Sequence, residues 1–268
     1  MTLERRHNVL VEGEGPVTFV FSHGFGCDQS MWRQLAPSFT GRCRVVTYDL
    51  MGAGGSDLCA YDPARYSTLG GYAADLNALI AQYGRGPVVT VGHSVSAMIG
   101  VLADRAAPGQ IAGHVMVGPS PCYLNEGDYQ GGFDMADIEA LFETLDSNYL
   151  GWSRSMAPVI MGAPGQPALS EELTDAFCRT DPDIAKQFAR VTFLSDNRAD
   201  VQGLATPTLI LQSAEDIIAP PPVGDYLHRV MPNSTLCLID NVGHCPHLSA
   251  APACAQAMDT FLRARSLL

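Results

Sequence analysis

The sequence predicts an α/β fold: a mostly parallel sheet of about seven strands, helices on both faces, and a helical lid inserted into the core. Three observations carry this expectation. Short runs rich in Val, Ile and Thr alternate with longer amphipathic stretches, the pattern of strands joined by crossover helices. That rhythm stops between about Cys122 and Ala199, where helical patterns follow one another without a convincing strand. A chain of 268 residues with 47% apolar content has ample material for one large core.

Taken in order, the expected strands are Asn8–Val11, Val17–Phe21, Val45–Tyr48, Val88–Val91, Val115–Val117, Thr208–Gln212 and Thr235–Ile239. The first two are separated only by Gly13-Glu14-Gly15-Pro16, too short for a crossover, so they are expected to pair antiparallel. Core helices are expected over about Ser67–Tyr83, Val95–Asp104, Pro222–Met231 and Ser249–Ala264. Within the strand-free interval, Ala136–Tyr149, Trp152–Met161, Ser170–Arg179 and Asp181–Leu194 each read as a helix. Unstructured connections of that length are rare in compact domains, so the interval reads as a cap. The expected division is residues 1–121 and 200–268 as the core and 122–199 as the lid.

Composition narrows the function. Sixteen Lys and Arg against 28 Asp and Glu leave a formal net charge of −12, which repels nucleic-acid phosphates and anionic lipid surfaces. The most apolar long stretch, Pro87 to Ala103, is interrupted by His93, Ser94 and Ser96 and is too short to span a bilayer. The charged N-terminal segment has no apolar signal stretch behind it, and a cytoplasmic location is expected. The eight cysteines, at 27, 43, 59, 122, 178, 237, 245 and 254, show no C-x-x-C spacing, so reduced packing residues are expected rather than a metal or dithiol site. Gly52-Ala53-Gly54-Gly55-Ser56-Asp57 follows a strand but has Asp57 where a dinucleotide loop needs its third glycine, and no cofactor is implied.

The strongest chemical signal is Val88-Val89-Thr90-Val91-Gly92-His93-Ser94-Val95-Ser96, a strand running through a small-residue turn into a helix. A serine at such a corner projects from a strained turn beside the helix N-terminus, the G-x-S-x-G nucleophile elbow, here with Ser96 at the last position. An N-cap serine would explain that segment alone. A serine hydroxyl needs a base to take its proton, and the base needs an acid to hold its tautomer. For this fold the order should be Ser, Asp, His. Asp216 follows the strand Thr208–Gln212 and His244 follows the last strand, so Ser94, Asp216 and His244 are the candidate triad. Glu215 is the rival acid, expected to face solvent. His247 is the rival base, with a satisfied structural role expected for it, and His93 is expected to point away from the serine. Ser22-His23-Gly24-Phe25-Gly26 follows the second strand, and the amides of Phe25 and Val95 are the candidate oxyanion hole. The Ser96 hydroxyl is expected to find a nearby backbone carbonyl, because an unpaired buried hydroxyl is costly.

With these residues in hand, the chain resembles the α/β-hydrolase superfamily over essentially its whole length. His23-Gly24-Phe25-Gly26-Cys27-Asp28-Gln29, Gly92-His93-Ser94-Val95, Gly118-Pro119-Ser120-Pro121-Cys122-Tyr123-Leu124-Asn125, Asp216-Ile217-Ile218-Ala219-Pro220 and Gly243-His244-Cys245-Pro246-His247 are similar to the RsbQ-like bacterial stress-signalling hydrolases. The plant karrikin and strigolactone receptors are similar in the same segments. The resemblance implies a four-helix lid over a small, mostly apolar pocket lined by Phe25, Tyr123, Trp152, Met156, Phe193 and Ile217. It further implies a small apolar ester or lactone as substrate, and a signalling partner such as a PAS-containing phosphatase. A metabolic esterase or lactonase and a ligand sensor with slow turnover are the two readings. A C–C bond hydrolase or cofactor-free haloperoxidase would use the same triad.

Overall fold

The structure is a computed structural model that describes residues 2–267; Met1 and Leu268, at the outer limits of the expected core, lie outside that range. Seven strands form one sheet: β1 (Leu10–Glu12), β2 (Thr18–Ser22), β3 (Arg44–Tyr48), β4 (Val88–His93), β5 (Gly113–Val117), β6 (Thr208–Glu215) and β7 (Ser234–Val242). Their spatial order is β1-β3-β2-β4-β5-β6-β7, parallel throughout except for β1 at the edge. One expectation is corrected here. β1 pairs antiparallel with β3, Leu10 opposite Thr47 and Glu12 opposite Val45, and not with β2. Both flanks of β2 are already taken by β3 and β4, and the chain leaves β1 at Gly13, whose φ of 71° turns it across the start of β3. A Cβ at Gly13 would lie 2.2 Å from the Cys43 carbonyl oxygen, so the crossing needs glycine.

Alternate residues of the central strands bury on opposite faces, as parallel strands covered on both sides require. Val20, Val46, Met116 and Ile210 pack against α1 (Leu69–Tyr83) and α2 (Val95–Ala106). Phe19, Phe21, Val45, Val89, Val91, Val115 and Leu211 pack on the other face, under Trp32, Phe39 and the buried stripe Cys254, Met258, Phe261 and Leu262. The spacing of Leu69, Tyr72, Ala73, Leu76, Leu79 and Ile80 is the i, i+3, i+4 pattern of a helix with one buried face.

Between β5 and β6 the chain forms α3 (Met135–Met161), α4 (Pro167–Arg179) and α5 (Pro182–Phe193) before returning to the sheet. The first of these is broken at Asn148, which leaves helical geometry at φ −155° and ψ 72° and accepts the Gly151 amide on its side-chain oxygen at 2.9 Å. The break leaves four helical segments in the insertion. The insertion closes on itself at a narrow neck: the Asn197 amide donates to the Pro121 carbonyl at 2.7 Å, and Cys122 and Asp196 form an antiparallel bridge. After the insertion, α6 (Pro221–Val230) follows β6 and α7 (Ala251–Ala264) ends the chain. A third apolar cluster joins the insertion to the C-terminal ends of the strands, with Tyr123, Ile218 and Cys245 on one side and Trp152, Phe177 and Phe193 on the other.

Candidate active site

Ser94 stands between β4 and α2 with φ 55° and ψ −126°, a conformation that L side chains rarely adopt and that sets its side chain out from the corner. Its amide donates to Val117 of the neighbouring strand at 2.8 Å, which fixes the corner against the sheet. The helix comes so close to the strand that a Cβ at Gly92 would lie 2.6 Å from the Ser96 carbonyl oxygen. Ser96 itself fits: its buried hydroxyl donates to the His23 carbonyl, tying the elbow helix to the loop that follows β2.

That loop carries the Phe25 amide. Neither it nor the Val95 amide donates to a described residue; Val95 opens α2 and so has no carbonyl four positions back inside the helix. The two amides are thus available where the elbow serine emerges.

The candidate acid and base sit beyond β5, at the ends of β6 and β7. Asp216 follows an irregularity in the β6–β7 register, and its Oδ1 accepts the amides of Ile218 at 2.8 Å and Ala219 at 3.1 Å. Its Oδ2 accepts the His244 Nδ1–H at 2.7 Å. That bond assigns the Nδ1 proton of a neutral ring, leaving His244 Nε2 bare, buried and without a hydrogen bond to any described residue. The backbone of His244 is also held: its amide donates to Ile160 of α3 at 2.8 Å. Glu215 is exposed and contributes only its carbonyl, which accepts the Gly243 amide at 2.8 Å. Ser94 Oγ shares a hydrogen bond with the Tyr123 hydroxyl at 3.3 Å rather than with His244. Burial pushes the Tyr123 phenol up, so it stays protonated across the ordinary pH range.

Two further histidines lie behind His244. His93 donates its Nε2–H to the His244 carbonyl at 3.0 Å, its ring centroid 4.9 Å from that of His244. Burial, then the neighbouring His247, holds its pKa well below the ordinary value, so it is neutral. His247 differs from expectation. It is fully buried between Trp32, at 4.6 Å, and His93, at 4.4 Å, but neither ring nitrogen finds a hydrogen-bond partner among the described residues. Packing alone holds it in place, and burial followed by His244 and Arg33 lowers its pKa to about 3.

Ser94 and His244 open into one cavity of about 610 Å³ between the sheet and the insertion. Phe25, Tyr123, Trp152, Met156 and Phe193 line it. Ile217 does not; it is 50% exposed, and Ile218 takes the wall position. The two amides bound by Asp216 curl this segment into a tight turn, which sends side chain 217 outward and side chain 218 inward. Sequence reading missed Phe133, Leu141, Ile160, Phe177 and Thr192 in the lining. The i, i+4 pair Leu173 and Phe177 marked a buried face on α4, but the face alone does not say whether it meets a cavity or a core. Cys27 and Cys245 also line the cavity, and burial pushes both thiols up, so they stay protonated. No helix among the described residues is long and apolar enough to cross a membrane.

A strand-ordered Ser, Asp and His at the C-terminal edge of a mostly parallel sheet, under a helical insertion, defines the class. The chain belongs to the alpha/beta hydrolase family, whose model matches residues 19–257. It is 39% identical over 249 residues to a karrikin insensitive 2 receptor of Petunia hybrida, covering 92% of each chain. It is 38% identical over 257 residues to a strigolactone esterase of Arabidopsis thaliana, covering 96% of this chain and 94% of that one. A hydrolase from Oleispira antarctica superposes with a TM-score of 0.94 at 40% identity, over 97% of this chain and 96% of the other.

Proposed function

We propose that this protein is a serine hydrolase acting on a small apolar ester or lactone, with Ser94 as nucleophile, His244 as general base and Asp216 as its orienting acid. The observation that carries the reading is the bare, buried Nε2 of His244, whose Nδ1 is held by Asp216 at 2.7 Å, in the same cavity as a serine on a strained elbow. Once a ligand displaces the Tyr123 contact, Ser94 Oγ attacks the carbonyl carbon and its proton passes to His244 Nε2. The resulting oxyanion is met by the Phe25 and Val95 amides. His244 returns the proton to the departing alkoxide, which in a lactone stays attached through its own chain. Water, deprotonated by the same His244, then cleaves the acyl-enzyme to free acid and regenerates Ser94. The apolar walls favour shape selection over charge.

A ligand sensor that hydrolyses slowly is the second reading, favoured by the receptor and esterase names of the two plant relatives. A protein partner for its output, such as a PAS-containing phosphatase, belongs to that reading and rests on resemblance. Treatment with an alkyl fluorophosphonate tests the chemistry common to both: one adduct, found by peptide mass at Ser94, is expected. An adduct at another residue, or none with the cavity open, overturns the assignment. Turnover on 4-nitrophenyl acetate separates the readings, since a sensor would release about one equivalent of product quickly and little afterwards.

A further inference from the structure

We propose that Thr192, in the last turn of α5, reads a second oxygen on the ligand. The cavity would then take a small ester or lactone that carries a ketone or ether oxygen apart from its scissile carbonyl. The inference rests on the hydrolase reading above and narrows its substrate class.

Many of the polar groups in the cavity wall are bonded within the protein; the Trp152 indole N–H and the Asn148 side-chain NH2 are donors without a partner among the described residues, but Asn148 is exposed and the Trp152 nitrogen is not fully buried. Thr144 donates to the Ala140 carbonyl at 2.8 Å and Ser155 to the Gly151 carbonyl at 3.0 Å. Asn148 accepts the Gly151 amide, Asp137 accepts the Asp134 amide at 2.9 Å, and Ser94 and Tyr123 bond each other. Of the cavity-lining side chains, three carry a buried polar atom with no partner among the described residues: His93 Nδ1, His244 Nε2 and Thr192 Oγ1. His93 Nδ1 is packed against Gly24, and His244 Nε2 is the proposed base. Thr192 remains, 2% exposed, its hydroxyl without a partner among the described residues.

Its isolation is unusual for its setting. Thr144, Thr174 and Thr180 in the same insertion each donate to the carbonyl four residues back. Thr192 does not, so its proton is idle in a mostly apolar wall, and an unmade hydrogen bond there destabilises the free protein. A ligand oxygen would complete it. The neighbouring Phe193 ring lies 5.0 Å from Tyr123, 5.9 Å from Phe133 and 6.2 Å from Phe25. Thr192 and these rings line the same cavity, so a ligand that reaches the hydroxyl also meets aromatic walls. Phe193 also links this wall to the loop that carries the Phe25 amide.

The test compares phenyl acetate with its 2-, 3- and 4-acetylphenyl analogues, whose ketone samples three directions. Intrinsic reactivity cancels when each kcat/KM ratio of ketone to parent is compared between proteins. For at least one isomer Thr192→Val should lower that ratio about three- to tenfold, the worth of one neutral hydrogen bond, while Thr192→Ser preserves it. The unliganded Thr192→Val protein should melt at a higher temperature than wild type, because a buried unpaired hydroxyl has been replaced by a methyl of the same shape. Equal ratios for all three isomers overturn the proposal, and so does a lower melting temperature. Should wild type hydrolyse none of the esters, the hydrolase reading fails by itself. Tryptophan fluorescence titration with the same probes then gives the ratio from Kd, and the same change with Thr192→Val is required. Binding by no probe also counts against it.

Discussion

The strand-end frame and the helical insertion face the same cavity but are built on different principles. In the frame, each proposed reacting group is positioned by a bond to or from the main chain: Ser94 through its amide on Val117, Asp216 through the amides of Ile218 and Ala219, and the loop of the candidate oxyanion amide through Ser96 on the His23 carbonyl. The insertion contributes mainly side-chain volume, from Trp152, Met156, Phe177 and Phe193, and its outer ion pair of Arg190 with Asp146 is exposed and worth little. Main-chain geometry survives most substitutions, whereas side-chain volume changes with each one. The chemistry is therefore confined to a few positions, while the shape of the cavity is free to vary.

The largest expected effect sits in the frame. If Ser94, Asp216 and His244 form the proposed triad, His244→Ala should lower ester turnover by about 10⁴-fold or more with little change in melting temperature, because triad members act as a unit. Met156→Ala in the insertion should change KM and substrate preference by about tenfold or less. Comparable losses in kcat from the two changes would erase the distinction, and a greater loss from His247→Ala would move the base to the other histidine.

Next in size is an acid effect from behind the frame. Burial, then His244 and Arg33, holds His247 at about 3 against an ordinary 6.5. As pH falls through that interval the unfolded chain takes up a proton that the folded chain refuses, so stability is full above about 6.5 and declines toward about 3. Over the whole window one such histidine is worth on the order of a few kcal/mol, and His93, shifted the same way, adds to it. His247→Phe, filling the slot between Trp32 and His93, should shrink the difference between melting temperatures at pH 7 and pH 4.5. An unchanged difference would place the acid sensitivity elsewhere.

The smallest effect tests the joint between elbow and oxyanion loop. Ser96→Gly removes the bond to His23 and should cost about 1 kcal/mol of stability with less than tenfold change in turnover. A tenfold rise would mean that Ser96 crowds the elbow and slows the protein.

Much of the frame was legible because it is written locally: an elbow is a short pattern, and an acid and a base after successive strands need only chain order. The placement of Ser96 followed from the same local logic, as its hydroxyl had to find a carbonyl close by. What sequence reading missed depends on distant parts of the chain. The partner of β1 is decided by which flanks of β2 are occupied, and periodicity says nothing about that. Ile217 and Ile218 are chemically alike, and only the turn around Asp216 chooses between them. That Thr192 lacks the bond its neighbours make, and that Tyr123 holds Ser94, are properties of a closed cavity and have no signature in a linear pattern.

The neck of the insertion has a consequence for how such proteins diversify. Because the amide of Asn197 reaches the carbonyl of Pro121, the excursion departs from the sheet and rejoins it at a single point. To the rest of the molecule it is a closed loop, and the entropic penalty of closing a loop grows only slowly with its length. Helices can be lengthened or shortened beyond that point without changing the span that β5 and β6 must bridge, provided the Ile160 carbonyl still meets the His244 amide. The fold thus behaves as a fixed socket carrying an interchangeable cassette, and new ligand preferences can arise by transplantation as readily as by point substitution.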